Sequence, residues 1–124
     1  NREAVPAAHP FPPLKSEISY EDFAKLDLRT GTIIKAEKLP KADKLLVLEV
    51  DLGFEKRTVV SGIAQYFDAA ALTGKKVTVL ANLAPRKLRG VESKGMILLA
   101  EDASGGFVFV NPDQDTFPNG ATIA

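Results

Sequence analysis

The chain has 124 residues, 45% apolar and 26% charged, which is the composition of one globular domain with a core of its own. It has no cysteine, which excludes a disulfide framework, a thiol nucleophile and any zinc site built on thiolates. It has one histidine, His9, which excludes a His-rich metal centre and argues against a Ser/His/Asp triad. Lys+Arg and Asp+Glu are each 16, so the net charge is zero, but the charges are segregated. Arg29 to Lys94 carries 13 basic residues against seven acids, whereas Gly95 to Ala124 carries four acids and no base. A local field of one sign, not the chain average, decides which partners are attracted.

Residues 1–17 read as a linker, because Pro6, Pro10, Pro12 and Pro13 favour extended backbone and no hydrophobic period is present. His9 falls in this tail, where it reads as solvated. The sequence opens on Asn1 rather than Met and reads as a segment of something longer. No apolar run approaches ~20 residues and no signal-peptide pattern is present, so a cytoplasmic protein without a membrane span is expected.

Ser19 to Leu26 reads as a short helix. Ser19 is placed to cap it, Asp22 to complete a capping box, and Ile18 and Phe23 to form a hydrophobic staple. The helix is expected to cover one open end of the unit that follows. A long strand is predicted from Leu28 to Leu39, with Gly31 as the place for a bulge or bend. A break at residues 40–44 follows, then an alternating strand from Leu45 to Leu52 and a third strand from Arg57 to Ser61. The Ala-rich stretch Gly62 to Thr73 predicts a short helix, continuous or broken, stopped by Gly74. Lys76 to Ala81 predicts a fourth strand, Asn82 to Gly95 a long loop, and Met96 to Ala100 a fifth strand.

Three strands, a helix and two strands is the order of the all-β, five-stranded Greek-key OB barrel, here with extra C-terminal strands. Residues 18–124 would form this domain. Such barrels bind through strands 2 and 3 and the connections 1–2 and 4–5. In this chain those connections and their flanks hold Lys35, Lys38, Lys41 and Lys44 at the first, and Arg86, Lys87, Arg89 and Lys94 at the second. That coincidence points to an anionic, nucleic-acid-like ligand. Between Leu28 and Ser61 the lone aromatic is Phe54, in a turn, so strands 1–3 offer no stacking platform for single strands or sugars. Phosphate contacts along a folded RNA fit better, read by shape, with no DNA expected. Phe107 to Val110 and Met96 to Leu99 are apolar on both faces, which predicts cover on two sides. The tail of this chain or a second copy of it would supply that cover, and a homodimer joined through the N-terminal helix and the C-terminal part is the favoured reading.

Six ordered blocks resemble one known family. They are Asp27-Leu28-Arg29-x-Gly31, Ala42-Asp43-Lys44-Leu45-Leu46, Val60-Ser61-Gly62-Ile63-Ala64, Gly74-Lys75-x-Val77, Ala81-Asn82-Leu83-x-Pro85 running on to Gly90, and Ser93-x-Gly95-Met96. They look like the tRNA-binding domain family, and most like the C-terminal domain of bacterial methionyl-tRNA synthetase; a free-standing tRNA-binding protein and a secretion chaperone are related members. The resemblance implies an OB-fold homodimer that grips the outside of folded tRNA. It also implies a parent ATP-dependent methionine-tRNA ligase. This segment is expected to be non-catalytic and free of cofactors, with ATP, and zinc as an open option, confined to the parent body. The class I signatures His-Ile-Gly-His and Lys-Met-Ser-Lys-Ser are absent here.

Arg86, Lys87 and Arg89 are assigned to phosphate contacts. Lys35, Lys41 and Lys44 are weaker candidates, because lysines at strand ends also protect edges. Asn82 and Ser93 have two readings each: hydrogen bonds to RNA, or to the turns of their own loop, with Ser93 leaning to the second. Asp43 reads as a loop-orienting residue rather than a metal ligand, and Ser61, Gly62 and Met96 as packing and turn residues.

Overall fold

A computed structural model describes residues 11–124. His9 and the first part of the expected linker lie outside the described residues; residues 11–17 are exposed and form no helix or strand. A single turn of helix, α1 (Tyr20–Ala24), follows, with the Ser19 hydroxyl accepting from the Asp22 N–H at 3.2 Å. The cap is therefore where the sequence puts it, but the helix is shorter than predicted. It buries none of its residues, so it does not plug an end of the barrel.

Strand β1 (Leu28–Lys38) is 11 residues long and is shared between two neighbours. Its first half pairs with β4 (Lys76–Leu80), from Leu28↔Leu80 to Thr32↔Lys76. Its second half pairs with β2 (Leu46–Asp51), as far as Lys38↔Leu46. The register slips between Ile33 and Lys35, so the irregularity lies beyond Gly31, where the sequence suggested it. Gly31 serves close packing instead: a Cβ there would stand 2.9 Å from the Val50 side chain. β2 pairs in turn with β3 (Lys56–Ser61), and β4 with the short β7 (Met96–Ile97).

The resulting order, β3-β2-β1-β4-β7, is a nearly closed barrel of OB type. Two hydrogen bonds, not a ladder, bring its edges together: Lys94 N–H to the Thr58 carbonyl at 2.8 Å, and Val60 N–H to the Ser93 hydroxyl at 2.9 Å. The interior is filled by alternating residues, among them Ile33, Leu48, Val50, Val59, Val77 and Val79, all without solvent exposure.

Two predicted elements take other forms. The stretch Gly62 to Thr73 is a string of turns holding one 3₁₀ turn, Ala69–Ala71, capped by Asp68 through the Ala70 N–H. Alanine favours helix, but the segment is pinned near its two ends: Ala64 N–H bonds the Lys44 carbonyl, and Gly74 N–H, just after it, bonds that of Ile33 at 2.7 Å. The expected fifth strand splits at Leu98, whose N–H bonds the Thr78 carbonyl, into β7 and β8 (Leu99–Glu101). β8 pairs with β9 (Phe107–Phe109) in a hairpin. Phe107 and Phe109 turn inward onto Tyr66 and Phe67, with ring centroids 4.6 and 4.8 Å apart. Val108 faces outward at 64% exposure.

The last residues bind back as β10 (Thr122–Ile123), which pairs with the start of β1. Thr30 anchors this tail: its hydroxyl donates to the Pro118 carbonyl and its carbonyl accepts from Gly120 N–H, both at 2.8 Å. Gly120 has φ +85°, and a Cβ there would run into the Leu52 carbonyl oxygen. Gly120→Ala is therefore expected to cost roughly 1–3 kcal/mol, read as a lower urea midpoint with an unchanged m-value. A midpoint equal to the parent's would mean that the tail does not dock on the barrel.

The β8–β9 turn is held by the Asp102 carboxylate. It accepts from the Ser104 hydroxyl at 2.7 Å and from the Gly106 and Ser104 N–H groups at 2.8 and 3.0 Å. The Ser104 hydroxyl first, then the backbone donors, hold this carboxyl below its ordinary range. A lowered folded-state pKa adds stability that is full above the ordinary carboxylate value and is lost as pH falls through the depressed one. Protection of the Gly106 amide, its exchange measured relative to the intrinsic rate at each pH, is thus expected to fall on acidification only below that ordinary range. Protection that fades at pH 5–6 would rule this anchor out.

Candidate nucleic-acid interface

The segment Asn82 to Gly95 is not an open loop. It folds into a hairpin of β5 (Arg86–Leu88) and β6 (Val91–Ser93), in register Arg86↔Ser93, Lys87↔Glu92 and Leu88↔Val91. Arg89 and Gly90 make the two-residue turn, both with positive φ, +52° and +86°. Positive φ at both positions is the pattern of a type I′ turn, whose twist suits two antiparallel strands. Glycine accepts that backbone freely; Arg89 does not, and is held there by the hairpin. The signal was present as Arg-Gly between two three-residue runs, but the polar composition masked it.

Alternation then sorts the side chains. Arg86, Leu88, Val91 and Ser93 share the face turned to the barrel, while Lys87 and Glu92 share the other. Ser93 is buried, and its hydroxyl accepts from Val60 N–H at 2.9 Å and donates to the Gly95 carbonyl at 3.3 Å. Asn82 anchors the base of the hairpin to the helix exit: its amide accepts from Asp27 N–H at 2.9 Å and donates to the Lys25 carbonyl at 2.7 Å. Arg57 reaches from β3 to the Ala81 carbonyl while paired to Glu55 at 2.6 Å. Both ends of the hairpin are thereby tied to the barrel.

The cations on it are not tied. Arg86, Lys87 and Arg89 are exposed and have no ion-pair or side-chain hydrogen-bond partner among the described residues. Lys94 differs, lying 3.7 Å from Glu92 with both ends open to water. The Arg29 guanidinium is likewise accounted for, between Asp27 at 2.6 Å and the Phe54 ring at 5.2 Å. Its hydrogen bond to the Asp27 carboxylate pushes its pKa up, so it stays charged.

The other basic connection, residues 40–44, flanks the same strand end from the opposite side. Leu46, just after it, pairs with Ser61 at the end of β3, and the Lys44 carbonyl accepts from Ala64 N–H at 3.1 Å. Across β3, Ser93 meets Val60. Lys41 and Lys44 are exposed, and Lys41 holds φ +64° at the tip of the turn. Lys35 stands apart, within β1, opposite Glu49 and 4.0 Å from Glu37, so its surroundings are not basic. The hairpin and the 40–44 turn therefore adjoin the two edges of the end of β3.

Between the hairpin and that strand end lies a cleft of about 250 Å³. Leu83, Leu88 and Met96 give it an apolar lining, and Arg86 stands among the lining residues. Sequence reasoning took Met96 as packing; it is 44% exposed. The available signal was a pair of leucines inside an otherwise polar, cationic segment. Among the described residues no group of three or more His, Asp or Glu side chains could hold a metal ion, and no helix is long and apolar enough to cross a membrane.

Residues 28–121 match the family described as "Putative tRNA binding domain". The chain is 63% identical over 111 residues to a methionine–tRNA ligase of Christiangramia forsetii, covering 90% of this chain and 16% of that protein. The chain thus spans a small part of the curated relatives it matches. Among solved structures, it resembles a MetRS-related protein from Pyrococcus horikoshii at 37% identity and TM-score 0.83, covering 89% of this chain and all of that one. It also resembles the chaperone CsaA of Bacillus anthracis at 28% identity and TM-score 0.78, covering 88% of this chain and all of that one.

Proposed function

The chain belongs to the tRNA-binding domain family, and from that premise we propose that it is the non-catalytic C-terminal dimerisation domain of a cytoplasmic methionyl-tRNA synthetase. It binds folded tRNA by shape and phosphate contacts and raises the affinity of the parent ligase by tethering. The observation that carries this reading is the set of three exposed cations Arg86, Lys87 and Arg89, without partners among the described residues, on one hairpin. Charges without an intramolecular partner keep their full attraction for phosphate, and a pre-formed hairpin loses little entropy on binding. Lys41 and Lys44 add contacts from the 40–44 turn, with Lys94 at the hairpin exit and Lys35 at the margin. Asn82 and Ser93 act as positioning residues rather than RNA contacts.

Replacing Arg86→Ala, Lys87→Ala and Arg89→Asn together removes the charges, and Asn keeps the left-handed turn accessible. The expected result is roughly tenfold or greater loss of tRNA affinity. The log–log salt slope should also become shallower by about 0.7–0.9 per phosphate contact removed. Unchanged affinity would favour the second reading, a dimeric interaction module, which the likeness to a chaperone supports.

The dimer rests on apolar surface that one chain leaves in water. Leu14 is fully exposed, Tyr20 is 74% exposed, and Val108 and Val110 face outward on the β9 side. Sedimentation equilibrium is expected to return about twice the 13.3 kDa chain mass. A 13.3 kDa species at all concentrations would remove the dimer from the proposal.

A further inference from the structure

We propose that the cleft beside the cationic hairpin takes a single unpaired nucleobase of the bound RNA; this rests on the RNA-binding reading above and adds a base pocket to its phosphate contacts. A surface that only follows phosphates has no use for an apolar hollow at its centre. This one has Leu83, Leu88 and Met96 facing a space of about 250 Å³, with Leu83 and Met96 40% and 44% exposed. That volume lies just below the range of small-molecule pockets, and so suits one ring system rather than a nucleotide chain.

Charge selects the occupant. Arg86 is the lone charged residue lining the cleft, no acid lines it, and Lys87 and Arg89 lie on the same hairpin. A cationic or plain aliphatic guest gains nothing from that rim, whereas a base enters with its own phosphate attached. Ser61, at the cleft wall, has a hydroxyl with no partner among the described residues, available to a base edge. Bases taken out of a stack are held between aromatic or apolar side chains and read along their polar edges. Met96 and Leu88 are aliphatic, so they fit the flat face of a base without an aromatic platform.

The test compares two RNA hairpins with equal phosphate counts, one fully paired and one with a single bulged 2-aminopurine. The chain is expected to bind the bulged RNA about tenfold more tightly, with 2-aminopurine fluorescence rising as the base leaves its stack. Gly62→Leu and, separately, Ala84→Leu narrow the cleft without changing charge. A Cβ at Gly62 meets nothing within 4 Å and its φ is not left-handed, so that backbone accepts a side chain. Both variants are expected to erase the preference and the fluorescence change, while affinity for the paired RNA stays within about twofold. Circular dichroism checks that each is folded, and Met96→Ala provides a third route to the same loss. Equal binding of the two RNAs by the parent chain, or equal weakening of both by the folded variants, overturns the pocket. If both RNAs bind equally but with a steep salt dependence that Arg86→Ala and Lys87→Ala reduce, the phosphate reading survives and only the base pocket fails. If neither binding depends on salt or on those cations, the RNA-binding reading itself fails.

Discussion

One strand has to serve two neighbours. β1 offers its first half to β4 and its second half to β2, and the barrel exists because the same backbone bends enough to do both. The bend needs close approach at Gly31, where a side chain would meet Val50, and a register slip after Ile33. A straight strand of this length would leave β2 and β4 in one flat, open sheet. With the bend, β3 swings round to meet the segment that follows the hairpin. The last gap is then closed by Lys94 N–H on the Thr58 carbonyl and Val60 N–H on the Ser93 hydroxyl.

That closure also builds the candidate site. Ser93 is at once the closing group and the end of β6, so the hairpin is fastened where the barrel shuts. Its other root is fastened by Asn82, which binds both Lys25 and Asp27 around the helix exit. Between the two anchors the hairpin projects Arg86, Lys87 and Arg89 into water. Some cations elsewhere on the barrel are paired, Arg29 with Asp27 and Arg57 with Glu55 at 2.6 Å and Lys35 loosely with Glu37 at 4.0 Å, whereas Lys41 and Lys44 have no such partner among the described residues. A chain with zero net charge thus keeps a basic edge because its charges are segregated along the sequence.

The strands were legible because burial on one face of a pleated sheet forces alternation, and Leu46, Leu48 and Val50 alternate. The cap at Ser19 was legible because its chemistry is local. Two stretches were misread for one reason. From Gly62 to Thr73, helix propensity is weaker than the hydrogen bonds that dock the segment onto β1 and the 40–44 turn. From Asn82 to Gly95, polar residues and a proline read as a loop, although Arg89-Gly90 is a compact hairpin turn. In both cases tertiary partners outweigh a local preference of well under a kcal/mol per residue.

Taken alone, the order of residues determined the strand succession, the barrel class, the family and the segregation of positive charge, since each depends on neighbours along the chain. Which of those charges remain free, which polar groups of the hairpin segment turn inward, and whether an apolar hollow opens between them were decided only when β3 was brought against residues 91–97. Those outcomes depend on contacts between positions some 33 residues apart, as between Val60 and Ser93, and no local pattern encodes a partner at that distance.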